Sequence, residues 1–239
     1  MAISSSSEKV LPLFTNLTQT FPSQSLGDDK WYLIALAALT GAGKPELAPD
    51  LYLHLISQPS YSTSSSRQAL TRRLRETLVK CVAIYGVCRP LEAIFAIDSV
   101  QREEDKDYSF SRENWQCDAA NYERGTAWLG RIYTHNMAPI DEKFKAQKDF
   151  GWISRNITYG LYLSDHSILN DIETELVVLA GIMIQNLKNE TAWHLRGSRR
   201  VGISNENVEK VHQCIELIAD FAGVKLDKVP RVADVEHEV

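Results

Sequence analysis

The sequence predicts an all-α protein on three observations. Apolar residues recur at intervals of three and four, few segments alternate as half-buried strands do, and one order of elements occurs twice, once near each end. With 239 residues, 44% of them hydrophobic and 24% charged, the chain can bury a sizeable core without disulfide or metal staples.

Residues 1–29 read as an N-terminal extension whose Ser-rich start, Met1 to Lys9, should fray. Asp28 or Asp29 can cap a helix through Trp31, Ile34 and Ala38 that the glycines of residues 40–43 stop. Pro45 suits the first turn of the next helix, which carries Leu47, Leu51, Leu55 and Ile56 and ends before a Ser-rich loop, Ser57–Ser66. A third helix, Arg67–Tyr85, places Leu70, Leu74, Leu78 and Val82 on one face and stops at Gly86. Pro90 starts a fourth, ending in the charged run Arg102–Asp107. Ser111 can cap a helix through Trp115, Tyr122, Trp128 and Ile132, and another is expected over Asp141–Tyr162. Asp171 then opens a helix through Leu176, Leu179 and Ile182. Asn186 or Asn189 caps a second that ends at Gly202. Ser204 caps a third, striped by Val208, Val211, Ile215 and Ile218 before Gly223.

Laying residues 83–87 on 220–224 brings Leu74 and Leu78 onto Val211 and Ile215. The chain therefore divides into the extension 1–29, a first degenerate repeat 30–108, a second repeat 109–228 and a tail 229–239.

Lys and Arg (26) are outnumbered by Asp and Glu (31), so the net charge of −5 gives no basic field to attract nucleic acid. No apolar run reaches the length of a membrane span. The start lacks a basic stretch followed by an apolar one, so a cytoplasmic chain is expected and the sequons at Asn16, Asn156 and Asn189 are chance matches. Cys81, Cys88, Cys117 and Cys214 lack metal-ligand spacing. Cys81 and Cys88, seven apart, are separated by about 10 Å of helix rise, too far for a disulfide, so reduced, buried thiols are expected. His54, His135, His166, His212 and His237 are scattered, and neither a Walker loop nor a dinucleotide fingerprint occurs. No metal and no cofactor is expected.

Glu175-Leu-Val-Val-Leu-Ala, Glu190-Thr-Ala-Trp-His194-Leu-Arg, Gly202-Ile-Ser and Gly223-Val together resemble the core helices of the carboxymuconolactone decarboxylase family. Tyr122-Glu-Arg-Gly125, Leu129-Gly130 and Phe150-Gly-Trp152 resemble the segment preceding that core. Residues 30–97, with Tyr85-Gly86, Pro90 and Glu92-Ala93, resemble a second core. The resemblance implies an alkylhydroperoxidase D-like helical fold in two degenerate repeats, a homo-oligomer (dimer or trimer), and a lyase or isomerase acting on a small carboxylated, lactone or polyketide-like molecule. A noncatalytic helical scaffold or ligand-binding protein of the same fold is the other reading. Peroxidase relatives place a Cys-x-x-Cys pair where this chain has Leu187 and Glu190, so thiol peroxidase chemistry has no reactive pair here. In the first repeat Trp31 falls on Glu175 and Asp50 on His194, so only Glu46 keeps its counterpart, Glu190.

Glu190 and His194 are four apart on one helix face near its N-terminus, where negative charge is favoured and imidazolium is not. With Glu175 they are the candidate catalytic residues, poised for proton transfer; an ordinary i, i+4 surface pair is the alternative. Arg196 could grip a substrate carboxylate, or with Arg199 and Arg200 it could simply favour a helix C-terminus. Trp193 and Trp152, with Trp128, could wall an apolar substrate pocket or pack the core.

Overall fold

The computed structural model describes residues 5–239, with side chains from Lys9 onward. Every regular element among them is helical. In chain order these are α1 (Ser5–Thr20), α2 (Ser23–Leu26), α3 (Trp31–Gly41), α4 (Ala48–Ile56), α5 (Ser64–Tyr85), α6 (Cys88–Val100), α7 (Ala119–Tyr133), α8 (Met137–Phe144), α9 (Lys148–Trp152), a π-helix (Ile153–Leu163), α10 (Asp171–Met183), α11 (Lys188–Arg200), α12 (Asn205–Ala222) and α13 (Val232–Val235). No described helix is long and apolar enough to cross a membrane.

Two apolar helices form the centre. All of α3 is buried and α10 is buried from Glu173 through Gly181, as expected of helices that are hydrophobic on every side. They pack on each other and exchange neighbours: α3 also lies against α12, and α10 against α5. Their ends match as well. Gly43 (φ +77°) and Asn186 (φ +58°) turn the chain after α3 and α10, while Gly86 (φ +85°) and Gly223 (φ +72°) end α5 and α12.

Several local expectations change. Met1–Ser4 lie outside the described residues, but the rest of the start expected to fray belongs to α1. That helix buries Val10, Leu13, Phe14 and Leu17 on one stripe and packs on α12. Val10, Leu13, Phe14 and Leu17 thus belong to the core rather than to an extension. Neither Asp28 nor Asp29 caps α3, which starts after Lys30 without a side-chain cap; Asp29 pairs with Lys30 and Arg73 instead. Leu187, not an asparagine, precedes α11. Thr63 caps α5 with Ser66 in a capping box, so that helix begins inside the supposed loop. Asp118 rather than Ser111 caps α7. Trp115 precedes that helix, its ring covered by the Arg124 guanidinium at 4.2 Å. The helix expected over Asp141–Tyr162 is broken between Phe144 and Lys148 and then winds as a π-helix. Cys81 and Cys214 are buried, which pushes each thiol up to about 12, but Cys88 and Cys117 are exposed; all four are free.

A buried ionic cluster joins the halves. Lys80 on α5 is fully enclosed, donates to the carbonyls of Tyr162 (3.1 Å) and Asp165 (2.7 Å), and lies 3.2 Å from Glu76. Arg112 grips the same Glu76 through two nitrogens at 2.6 and 2.7 Å. These cations sit on the unpaired carbonyls at the C-terminal end of the π-helix, where positive charge is favoured.

Candidate functional site

Four polar side chains from four helices meet in the second half. His194 on α11 donates from Nδ1 to Oε1 of Glu175 on α10, at 2.7 Å. Its Nε2 faces the hydroxyl of Tyr133, the last residue of α7, at 3.4 Å, and that hydroxyl lies 3.0 Å from the hydroxyl of Tyr159 on the π-helix. Glu175 is 0% exposed and His194 3%.

Small residues allow this convergence. A Cβ on Gly197 would stand 2.5 Å from Glu175 Oε1 and 2.8 Å from Ile132 Cγ2, so only glycine lets α11 lie this close to α10 and α7. A Cβ on Gly125 would stand 2.2 Å from the Arg155 carbonyl, and one on Gly160 2.5 Å from Asn121 Nδ2. These two glycines bring α7 and the π-helix together and with them the two tyrosines. Tyr133 is held from behind as well: Arg200 donates to the carbonyls of Ile132 (2.8 Å) and Tyr133 (2.9 Å). The next residue, Thr134, has φ +45°, a left-handed conformation that β-branched residues avoid and that clusters at functional sites.

Burial raises the Glu175 carboxyl above its usual range, and the His194 imidazole beside it pulls the other way. Burial likewise holds the Tyr133 and Tyr159 hydroxyls protonated well past neutrality. The arrangement is a directed chain. Tyr159 donates to Tyr133, Tyr133 to Nε2, and Nδ1 to a carboxylate that fixes the tautomer. Such a histidine can take or give a proton at Nε2, and the hydroxyls can stabilise a developing oxyanion. Glu175 Oε2, Thr191 Oγ1 and Arg196 Nε are also buried there with no hydrogen-bond partner among the described residues.

The structure brings most of the sequence candidates to this place. Glu190, in the first turn of α11, is half-buried and acts electrostatically on Tyr133, as do Glu175 and Arg196. The carboxylate that bonds His194 is Glu175, however, and not its i, i+4 neighbour Glu190. Trp193 lays its ring edge-on to Tyr133, centroids 6.0 Å apart. Arg196 is buried and bound at 2.9 Å to Glu238, while Arg199 clasps Glu236. Trp152 is not brought in; it stands on the surface, 53% exposed. Trp128 is core, its ring against His166. Sequence reasoning missed Tyr133 and Tyr159. Their signal was the glycine pair Gly125 and Gly160, each facing a helix that carries one of the hydroxyls. Among the described residues no cluster of three or more His, Cys, Asp or Glu is placed to hold a metal ion.

The first half has rings where the second has this chain. Phe14, Trp31 and His54 pack together with centroids 5.3–6.0 Å apart, and burial lowers the His54 imidazole below its ordinary value. A cleft of about 540 Å³ opens beside them, lined by residues including Thr15, Asp28, Trp31, His54 and Tyr61.

No family model matches the chain, and no solved structure matches it. Among curated proteins it is similar to Peroxisomal protein 2 of Saccharomyces cerevisiae, 18% identical over 81% of this chain and 89% of that protein. It is also similar to Peroxisomal protein 2 of Schizosaccharomyces pombe, 20% identical over 81% of this chain and 87% of that protein.

Proposed function

We propose that this chain is a cofactor-free proton-transfer enzyme, a lyase or isomerase acting on a small carboxylated, lactone or polyketide-like molecule. Its fold on this reading is alkylhydroperoxidase D-like, built as two degenerate repeats of the carboxymuconolactone decarboxylase kind. The observation that carries the proposal is the buried chain Tyr159, Tyr133, His194, Glu175. Glu175 orients His194 by accepting from Nδ1. Protonated at Nε2, which then no longer accepts from Tyr133, His194 gives that proton to the substrate carbon that keeps the electron pair when carbon dioxide leaves and is recharged from solvent. In an isomerisation the neutral Nε2 takes a proton from one carbon and returns it to another. With Nε2 protonated, the Tyr133 hydroxyl, held protonated by burial, is released to donate to the enolate oxygen while Tyr159 donates to Tyr133. Glu190 and Trp193 form the half-buried approach, and the unpartnered Arg196 Nε offers a contact to a carboxylate.

One observation favours the noncatalytic reading: with Glu175 and His194 almost wholly buried, the network could serve only to fix four helices. Screening small carboxylic acids and lactones, first for thermal stabilisation and then for turnover, separates the two. Turnover lost in His194→Ala with helicity intact supports the enzyme; a substrate turned over equally by wild type and His194→Ala refutes the assignment. Cytoplasmic action belongs to this proposal, and fractionation tests it against the peroxisomal name of the relatives: sedimentation with peroxisomes would replace it.

A further inference from the structure

We propose that one face of α7 and the turn after the π-helix form a binding pocket for a small oxyanion, the phosphate or carboxylate group of an organic molecule. Arg124, Trp128 and Arg131 stand four and three residues apart on α7 and so share one face of that helix. Gly125 and Gly160 let the π-helix lie against α7, so that Ser164 and His166, just beyond its end, close the other side. The pocket has a volume of about 290 Å³. A cavity of roughly 150 Å³ holds a benzene ring, so this one takes an oxyanion with a small organic group attached.

The wall chemistry selects the ligand. Two guanidinium groups, an imidazole and an indole line the pocket, and no carboxylate does. Arg124 has no acidic partner among the described residues. It donates to Asn121 Oδ1 at 3.4 Å, rests 4.2 Å over the Trp115 ring, and keeps its Nε buried and unbonded. Trp128 is 5% exposed, and its Nε1–H, a donor only, likewise finds no acceptor. Arg131 gives one nitrogen to Asp171 at 2.6 Å and lies 5.6 Å from the Trp128 ring centroid, which leaves further donors on its guanidinium. Both guanidinium groups are thus braced on an indole, so little side-chain freedom remains to be lost when an anion arrives.

The surrounding acids do not cancel this charge. Asp171 is engaged by Arg131, and Asp165 accepts from the Ser167 backbone and hydroxyl while its other oxygen lies 3.4 Å from Arg112. Glu123, next to Arg124 in the chain, is exposed and lines no part of the pocket. His166 is lowered below its ordinary value by burial and by the Lys80 ammonium, against Asp171 and Asp165, so at neutral pH the positive charge rests on the arginines. On a chain of net charge −5, an arginine left without a counter-ion beside a second unsatisfied donor marks a site that an anion completes.

Isothermal titration calorimetry on the full chain at low salt tests the site, with inorganic phosphate and acetate as probes in separate titrations. At least one of them should bind with a dissociation constant of about 1 mM or tighter, weakening as sodium chloride is raised. The tighter of the two names the group. Arg124→Gln and Arg131→Gln should each weaken binding about 10-fold or more, and Arg124→Lys nearly as much, because an ammonium does not keep the stacked fork. Trp128→Phe, which keeps a ring but removes the N–H, should cost about 3-fold. Lys145→Gln, removing an exposed cation elsewhere, should bind as wild type. Circular dichroism checks that each variant is folded. Failure of both anions to bind wild type at about 10 mM would overturn the proposal. So would binding that Arg124→Gln and Arg131→Gln both leave unchanged, since the anion would then sit elsewhere.

Discussion

Around Trp31 the first half fills its centre with the rings of Phe14, Trp31 and His54, whereas around Glu175 the second half uses a carboxylate, an imidazole and two hydroxyls in hydrogen-bonded sequence. Both centres are buried beside the same pair of packed helices, α3 and α10, so the helical frame does not dictate the chemistry inside it. The carbon faces of these rings gain from burial and need no exact partners. A buried carboxylate and imidazole are costly unless each finds the other, and the glycines at 125, 160 and 197 exist where that meeting requires close approach. The second half therefore accepts constraints that packing alone does not ask for, and this is the physical reason for placing function there.

The largest test of the contrast is His194→Ala against His54→Ala. With a substrate in hand, His194→Ala should lower turnover on the order of 100-fold or more, the usual loss for a positioned proton donor, and His54→Ala should leave it within a few-fold. Single-turnover kinetics with circular dichroism controls measures both, and equal effects would erase the distinction between the halves.

The two junctions differ next. Aligning Gly86 with Gly223 sets Leu217 and Gln213 of α12 opposite Lys80 and Glu76 of α5. Where α12 meets the end of α1 there is an open cleft of about 760 Å³, lined in part by Gln213, Leu217 and Thr20. Where α5 meets the end of the π-helix, the ionic cluster closes the gap. Burial holds Lys80 down to about 8, from an ordinary 10.5. Between those pH values the unfolded chain keeps a proton that the folded chain has lost, so stability from this group rises with pH across that window. Compared with Lys80→Met by urea denaturation, wild type should gain on the order of 3 kcal/mol from below pH 8 to about pH 10.5. A flat difference would mean that Lys80 keeps an ordinary pKa.

Gly197→Ala should cost about 2 kcal/mol through overpacking against Glu175 and Ile132 and should also lower turnover by displacing the His194 partner. Gly86→Ala, with open space around its Cβ, should be limited to the strain of its positive φ. Thermal melts of the pair decide whether 197 is tight. The smallest effect concerns helix starts. Asn170 caps α10 in a capping box with Glu173, so Asn170→Ala should cost about 1 kcal/mol. Asp29→Ala before the uncapped α3 should show no loss of a cap, only of its pairs with Lys30 and Arg73.

Most helices were legible because their cause is local: the apolar runs of α3 and α10, the four-residue stripe of α5, the Ser204 cap of α12 and the stops at Gly86 and Gly223 all lie within a few residues of what they determine. The failures share a non-local cause. The helical start was hidden because α1, whose Val10, Leu13, Phe14 and Leu17 are buried, packs on the distant α12, and the π-helix from Ile153 lies against α7 and α5. At the site, Glu175, Glu190, Trp193, His194 and Arg196 were found from one short run and its upstream partner. Tyr133 and Tyr159 were not, since their meeting depends on two glycines in different helices. Trp152 misled because an aromatic residue beside a glycine reads the same whether it faces the core or water.

The exchange of neighbours between α3 and α10 bears on how the molecule comes apart. Each half carries a central helix buried along most of its length, and the other half supplies part of its cover. Expressed separately, the two halves would each present that helix to water and aggregate; expressed together they should find each other and reconstitute one body, and the intact chain should melt in a single cooperative step.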